Sequence, residues 1–237
     1  TTLPDETTSR VAAGFTSTDD TWVGVTGRAR VIAYDGEKLS LDEIPTSVDA
    51  FAEPDWSGRV GIAPTNASFQ AFVTAYRVLN GEDAADEWVA ALAANSPQIF
   101  DNNRAVLAAV NEGVVETGLI NHYYWFGQAS ETGAENMRAQ LAYPDAGDAG
   151  SIVNVTGAGI LKSAETDADA LEFVNFLLSE QAQQYFVAET YEYPLIEGVD
   201  ASSGLPAIDS LVNSDLDLAD LETLEATQAL LAKHGLI

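Results

Sequence analysis

Apolar residues recur along the chain in two spacings that alternate, and they predict strands and helices in turn. Helical spacing marks four segments, at residues 69–79, 83–94, 168–178 and 221–231. β-rich apolar runs lie at residues 59–63, 114–120 and 151–161, and residues 22–35 are predicted to form two short runs around Thr26 and Gly27. Strands that alternate with helices predict α/β layers with mainly parallel sheets.

Turn and cap residues separate these elements. Asn103 is predicted to cap a helix that continues through Val110 and is closed by Gly113. Two stretches rich in small and polar residues, at 145–150 and 200–206, are typical of loops or of crossover connections between lobes. The chain contains no internal repeat.

The charge balance excludes several classes of partner. The 237 residues include 37 Asp and Glu against 10 Lys and Arg, which gives a formal net charge of −27. Such a field repels nucleic acids and anionic head groups. Because 46% of the residues are hydrophobic, a folded core is expected rather than disorder. Concentrated salt would screen this charge, since the Debye length falls to about 3 Å near 1 M. The composition therefore predicts a halophilic protein.

Candidate catalytic chemistry is weak. The chain has no cysteine, and its two histidines, His122 and His234, lie far apart in sequence. It contains no G-x-S-x-G elbow, no phosphate-binding loop and no G-x-G-x-x-G fingerprint. Carboxylates are too numerous for any pair to suggest a glycosidase. No apolar run reaches the roughly 20 residues that cross a bilayer. An enzyme and a membrane-spanning protein are both disfavoured.

The paired tyrosines Tyr123 and Tyr124 carry the most specific chemistry. They follow a predicted strand, and at a strand-to-helix bend both hydroxyls can converge at the carboxyl end of the strand, where α/β sheets bind ligands. Two phenolate oxygens suit a small hard cation such as Fe³⁺. The alternative is that Tyr123 to Phe126 form an aromatic cluster in the core.

From Trp22 onward, the chain resembles the ferric-ion-binding proteins of ABC importers, the bacterial transferrin-like family, in a haloarchaeal form. The resemblance implies a type II periplasmic-binding-protein fold, with two α/β lobes joined by hinge strands and ferric iron in the cleft between them. It also implies an extracytoplasmic protein that hands its cargo to a permease. The matching segments are TGRARV (26–31), GIAPTNASF (61–69), NN (102–103), GLINHYYW (118–125), TGAGILK (156–162) and EYPL (192–195).

The resemblance also assigns roles to individual residues. Tyr123 and Tyr124 match the tandem tyrosines that bind iron. A carbonate or phosphate-like synergistic anion would be held by Asn66, Ala67, Ser68 and Asn121. Arg28 would lie near this anion. Asn103 matches a polar support of the cleft. A helix N-terminus suits an anion because its free N–H groups and its dipole both favour negative charge.

Two departures from the family pattern shape further expectations. Family members carry a segment before the position that matches Leu3, which supplies ligands from the opposite lobe and would also carry a lipid anchor. The chain is therefore expected to be N-terminally truncated, with one incomplete lobe (1–30 and 154–204) and one complete lobe (31–153 and 205–237). As it stands, it is expected to bind iron weakly or not at all. The anion loop has Phe69 in place of a third tyrosine, which favours an anion-assisted site.

Two other functions stay open. One is the same fold with a different small ligand, such as a polyamine, an oxyanion or an organic iron chelate. The other is a hydrolase. For Arg28 and Arg30, simple ion pairing near the hinge is an equally good interpretation in so acidic a protein.

Overall fold

The chain forms two compact units. The computed structural model describes residues 1–12, 14–212 and 216–237. Unit 1 comprises Thr1–Arg28, Val153–Ser210 and Asp217–Ala219, and unit 2 comprises Ala29–Ile152, Leu211–Leu216 and Asp220–Ile237.

The predicted lobes divide the chain after residues 30, 153 and 204, whereas the compact units divide it after Arg28, Ile152 and Ser210. That these units are the lobes of a ligand-binding protein stays a prediction. The predicted segments 1–30 and 205–237 also include Ala13 and residues 213–215, which lie outside the described residues.

Strands and helices follow the predicted order. The strands are β1 (Val23–Asp35), β2 (Val60–Ile62), β3 (Gln98–Ile99), β4 (Thr117–Asn121), β5 (Ala139–Ala142), β6 (Val153–Ala158) and β7 (Tyr193–Pro194). The α-helices are α1 (Asp5–Thr8), α2 (Ala67–Asn80), α3 (Glu82–Ala94), α4 (Asn103–Asn111), α5 (His122–Thr132), α6 (Ala168–Leu177), α7 (Glu180–Glu189) and α8 (Leu224–Lys233). Short 3₁₀ turns at 41–43, 48–52, 54–56, 134–136, 149–151, 162–164, 208–210 and 218–222 connect them.

Strand β1 is a single strand of 13 residues, and the prediction of two runs around Thr26 and Gly27 was wrong. All of its residues except Arg28 are buried. In unit 1, β1 pairs with β6 and, antiparallel, with β7, where Gly27 lies opposite Tyr193. A Cβ at Gly27 would lie 3.2 Å from the Tyr193 Cβ. Gly27 therefore permits close packing here and does not break the strand.

The sheet of unit 2 is mixed, so the prediction of mainly parallel sheets was wrong. Its strand order is β3-β2-β4-β1-β5. Strand β2 runs parallel to β3 and to β4, whereas β1 runs antiparallel to β4 and to β5. The parallel pairs are joined through helices, as the alternation predicted. Strand β1 enters the sheet from unit 1, without such a helical crossover.

Each face of this sheet supports its own core. Consecutive residues of a strand point to opposite faces, so Ile32 packs with Phe72 and Trp88 on one face, while Val31 packs on the other. The first core combines aliphatic with aromatic residues, and the indole Nε1 of Trp88 donates to the Val48 carbonyl at 3.1 Å. The second is mainly aliphatic and comprises Val31, Ala33, Ala63, Val106, Leu107, Ala109, Val110, Val115, Ile120, Ala129, Met137 and Ala139. Both cores fix the end of β4.

Unit 1 is organised around a buried amide. The Gln183 side chain donates to the Val25 carbonyl at 2.7 Å and to the Leu177 carbonyl at 2.9 Å, and its Oε1 accepts from the Leu195 N–H at 2.9 Å. These bonds tie α6 and α7 to β1. Within the described part of the chain, no helix has the length and apolar character needed to span a membrane.

Candidate metal and anion site

The paired tyrosines lie in the first turn of α5, directly after β4. Asn121 ends the strand in an extended conformation, and His122 begins the helix. The Tyr123 and Tyr124 rings lie with centroids 4.4 Å apart and planes inclined by 35°. Both side chains are half-buried. The sheet therefore places two phenols side by side at the carboxyl end of a central strand, which is the position where α/β sheets bind ligands.

The predicted anion loop opens α2. Asn66 is the N-cap, and its Oδ1 accepts from the Ser68 N–H at 3.0 Å and from the Ser68 hydroxyl at 2.7 Å. Ala67 is the first residue of the helix and is exposed. The loop is thus held by its own cap, with the positive end of the helix dipole behind it.

Arg30 joins this loop to the end of β4. Its Nη2 donates to the Leu119 carbonyl at 2.7 Å, and its Nη1 donates to Ser68 Oγ at 3.1 Å and to Asn121 Oδ1 at 3.4 Å. The strand register explains the last contact, because Arg30 lies opposite Asn121 in the β1–β4 pair. The guanidinium also lies over the Phe69 ring, 5.5 Å from its centroid.

Arg30 is a buried cation. Its exposure is only 3%, and its Nε has no partner among the described residues. Burial lowers the pKa of Arg30 to about 9, and the nearby phenols of Tyr123 and Tyr124 act in the opposite direction. The guanidinium therefore keeps its charge at neutral pH.

Asn103 does not cap α4 as predicted. Asn102 is the cap, with its Oδ1 accepting from the Ala105 N–H at 3.0 Å. Asn103 is the first helical residue and is fully buried, and its Nδ2 donates to Ser68 Oγ at 2.8 Å. Its Oδ1 has no partner among the described residues. The Ser68 hydroxyl thus donates to Asn66 and accepts from both Arg30 and Asn103, so all of its hydrogen-bonding capacity is in use.

The place of Arg28 near the anion stays a prediction. Arg28 belongs to unit 1, where its Nε donates to Glu192 Oε2 at 3.1 Å. Thr26 donates to the same carboxylate. Arg28 therefore forms an ion pair, as the alternative interpretation of this residue predicted. The sequence R-A-R puts Arg28 and Arg30 on the same side of a strand, and only the pairing of β1 with β4 distinguishes them.

Two further residues border the tyrosines. His122 is buried, and its Nδ1 accepts from the Ala29 N–H at 3.1 Å, so this ring nitrogen is engaged with the backbone of β1. The exposed Arg104 places its guanidinium 5.8 Å from the centroid of the Tyr124 ring. Sequence reasoning missed Arg104, although its position directly after Asn103 was a usable signal.

In the part of the chain that the structure describes, no three His, Cys, Asp or Glu side chains gather in a metal-binding arrangement. The hard oxygen donors of this cluster are the phenols of Tyr123 and Tyr124. Beside them lies a polar network of Asn66, Ser68 and Arg30 around the opening of α2. The arrangement offers two phenol oxygens beside a buried positive charge.

A mixed α/β fold with such a polar site defines a solute-binding protein with the type II periplasmic-binding-protein fold. The chain belongs to the family of bacterial extracellular solute-binding proteins, whose family model matches residues 1–211.

Several known proteins are similar to this chain. The major ferric iron-binding protein of Neisseria meningitidis serogroup B is 35% identical over 215 residues, which cover 91% of this chain and 65% of the relative. The Fe(3+)-binding periplasmic protein of Serratia marcescens is 30% identical, over 99% of this chain and 69% of the relative. The crystal structure of iron-bound HitA from Pseudomonas aeruginosa superimposes with a TM-score of 0.91 at 34% identity, over 99% of this chain and 76% of that one. The chain therefore spans less than two thirds of the meningococcal relative's length.

Proposed function

We propose that this protein binds ferric iron together with a synergistic anion and delivers it, outside the cytoplasm, to the permease of an ABC importer. The observation that carries the proposal is the position of Tyr123 and Tyr124 in the first turn of α5, beside the network of Ser68, Arg30 and Asn121. The names of the relatives in Neisseria and Serratia support the same cargo. Binding and transfer are its whole activity, and it is not an enzyme.

The chemistry of the donors favours Fe³⁺ over softer metals. Phenolate is a hard oxygen donor, and a hard trivalent cation offsets the free energy needed to remove a proton from a group whose pKa is ordinarily about 10. Ferric iron with two phenolates retains a positive charge, which a carbonate or phosphate-like anion would offset. Asn66, Ala67 and Ser68 are the residues proposed to hold that anion, because they open α2 and present its first N–H groups.

The Ser68 hydroxyl requires one adjustment for this role. Since its proton is donated to Asn66 Oδ1 and its lone pairs accept from Arg30 and Asn103, an anion can accept from Ser68 Oγ only if the bond to Asn66 is exchanged. The backbone N–H groups of Asn66 and Ser68 also donate already, to the Ala63 carbonyl and to Asn66 Oδ1, so they would need the same kind of exchange. Asn121 is proposed as a further contact of the anion, and Asn103 as a polar support of the site.

A second candidate is the same fold with another small ligand. The buried positive charge of Arg30 disfavours a polyamine, because like charges repel strongly where solvent does not screen them. It is compatible with an oxyanion or with an anionic iron chelate. Direct binding of iron by phenolates separates this candidate from the leading one.

The test is a titration of the full-length protein with ferric citrate in molar salt, followed by the visible absorbance that arises when iron is bound by phenolate. We expect Tyr123→Phe and Tyr124→Phe each to lose most of this absorbance and of the ferric affinity. Tyr185→Phe is the matched control, since Tyr185 is 60% exposed on α7 of unit 1. Unchanged colour and affinity in both site variants would refute the assignment, and binding of citrate or sulfate without colour would favour the second candidate.

A further inference from the structure

The buried charge of Arg30 bears on the kind of anion that can accompany the metal. The chain has 37 acidic residues, and three other arginines, Arg59, Arg77 and Arg138, each pair with a carboxylate. For Arg30, by contrast, the hydrogen-bond partners found among the described residues are neutral oxygens, and the guanidinium lies over aromatic rings. The phenols of Tyr123 and Tyr124 are the nearby groups that favour its charge. A buried charge is costly unless an opposite charge accompanies it.

Two unpartnered polar atoms lie in the same network. Arg30 Nε is a buried donor without an acceptor, and Asn103 Oδ1 is a buried acceptor without a donor. Both side chains also hydrogen-bond to Ser68 Oγ, at 3.1 Å and 2.8 Å respectively. Buried polar groups in folded proteins are nearly always satisfied, so unpartnered atoms on two side chains that share one hydroxyl partner indicate a place for a polar ligand or water.

Charge counting then restricts the ligand. Ferric iron with two phenolates keeps one positive charge, and Arg30 beside them adds a second. A dianion neutralises the set, whereas a monoanion leaves one positive charge in a poorly solvated place. The contribution of Arg30 depends on its burial, because an exposed arginine at a similar distance would be screened by water and salt.

We propose that Arg30 determines the anion specificity of the site, selecting a divalent oxyanion over a monovalent one as the partner of the metal. The proposal rests on the proposed function, since it needs iron bound by Tyr123 and Tyr124. Arg30 acts through its fixed charge and its hold on Ser68 and Asn121, as a specificity-determining residue that does not bind the metal.

The experiment compares sulfate with methanesulfonate, which have similar tetrahedral ends but carry two charges and one. Ferric affinity is measured from the phenolate–iron absorbance at equal ionic strength, with a hydroxamate competitor that fixes the free ferric concentration. The wild-type chain is expected to bind iron about tenfold to a hundredfold more tightly with sulfate, the range expected for a hydrogen bond between charged groups. In Arg30→Gln this ratio should approach one, and in Arg30→Lys it should persist.

Arg104→Gln is the matched control, because it removes the same charge from an exposed position near Tyr124. Its anion ratio should stay close to that of the wild type. A wild-type ratio near one, or a folded Arg30→Gln variant that keeps the wild-type ratio, would overturn the proposal. If Arg30→Gln does not fold, the proposal is judged from the anion ratios of the wild type and of Arg30→Lys. A ratio near one in either protein would contradict it. Absence of the iron absorbance with every anion in the full-length protein would instead refute the proposed function itself.

Discussion

Replacing Ser68 by alanine tests the network that holds the candidate anion loop. Ser68 Oγ accepts from Asn103 Nδ2 at 2.8 Å and from Arg30 Nη1 at 3.1 Å, and it donates to Asn66 Oδ1 at 2.7 Å. The substitution removes all three bonds and leaves the helix cap in place, because Asn66 Oδ1 still accepts from the backbone N–H of residue 68 at 3.0 Å.

The magnitude follows from the two donors that lose their acceptor. Asn103 is fully buried, and its Nδ2 would be left with only a 3.5 Å contact to Asn66 Oδ1. Arg30 is 3% exposed, and its Nη1 would be left with Asn121 Oδ1 at 3.4 Å. A buried neutral bond contributes about 1 kcal/mol and a bond from a charged donor about 2 kcal/mol. We therefore expect Ser68→Ala to lower the free energy of unfolding by about 3 kcal/mol.

The assay is urea unfolding monitored by tryptophan fluorescence, since Trp56 and Trp88 both lie in the core of unit 2. Ser130→Ala is the control, because Ser130 is exposed and its hydroxyl donates to the local Gly127 carbonyl. Ser68→Ala combined with Asn103→Ala should cost less than the sum of the single variants, since they share one bond. A loss below about 0.5 kcal/mol for Ser68→Ala would refute this account of the network.

Three further predictions concern charge. Asp35→Asn should lower the free energy of unfolding by about 3 kcal/mol, because Asp35 is fully buried and accepts from Arg138 Nε and Nη2 at 2.6 Å each. Burial raises the pKa of Asp35, but the bonds from Arg138 more than offset this, so its folded pKa lies below the usual value. The stabilisation should therefore be complete above about pH 4 and be lost as pH falls through that lower pKa. Urea titrations at pH 7 and pH 3 should show this pH dependence in the wild type and not in Asp35→Asn. Ferric affinity should fall between pH 8 and pH 6, because binding displaces protons from Tyr123 and Tyr124, and a flat absorbance profile would contradict this. With a net charge of −27, the melting temperature should rise from 0.1 M to molar salt, and an unchanged value would count against halophily.

Much of the local structure could be predicted because it depends on neighbours in sequence. The apolar spacing at 69–79 and 83–94 falls within α2 and α3, which are longer by at most two residues at each end. Tyr123 and Tyr124 are adjacent in the chain, so the order of β4 and α5 is enough to place both in the first turn of a helix. The Asn66 cap follows from the preference of asparagine for that position.

The predictions that failed concern choices between neighbouring residues. Asn102 and Asn103 are both good caps, and burial decides between them, because the fully buried Asn103 side chain bonds Ser68 in a distant segment. Gly27 was interpreted as a break, but it is a point of close contact with Tyr193. In each case the deciding partner lies far away in the sequence.

The sequence by itself determined the class of fold, the order of the elements, the acidic surface and the position of the paired tyrosines, since these depend on composition and short-range spacing. Only the tertiary structure decided that Arg30 stands beside the candidate anion loop. Arg28 and Arg30 share the same spacing and the same side of β1. Register pairs Arg30 with Asn121 on β4, while Arg28 meets Glu192 in unit 1. Register is a long-range property, because it is fixed by which strands pair and which faces they bury.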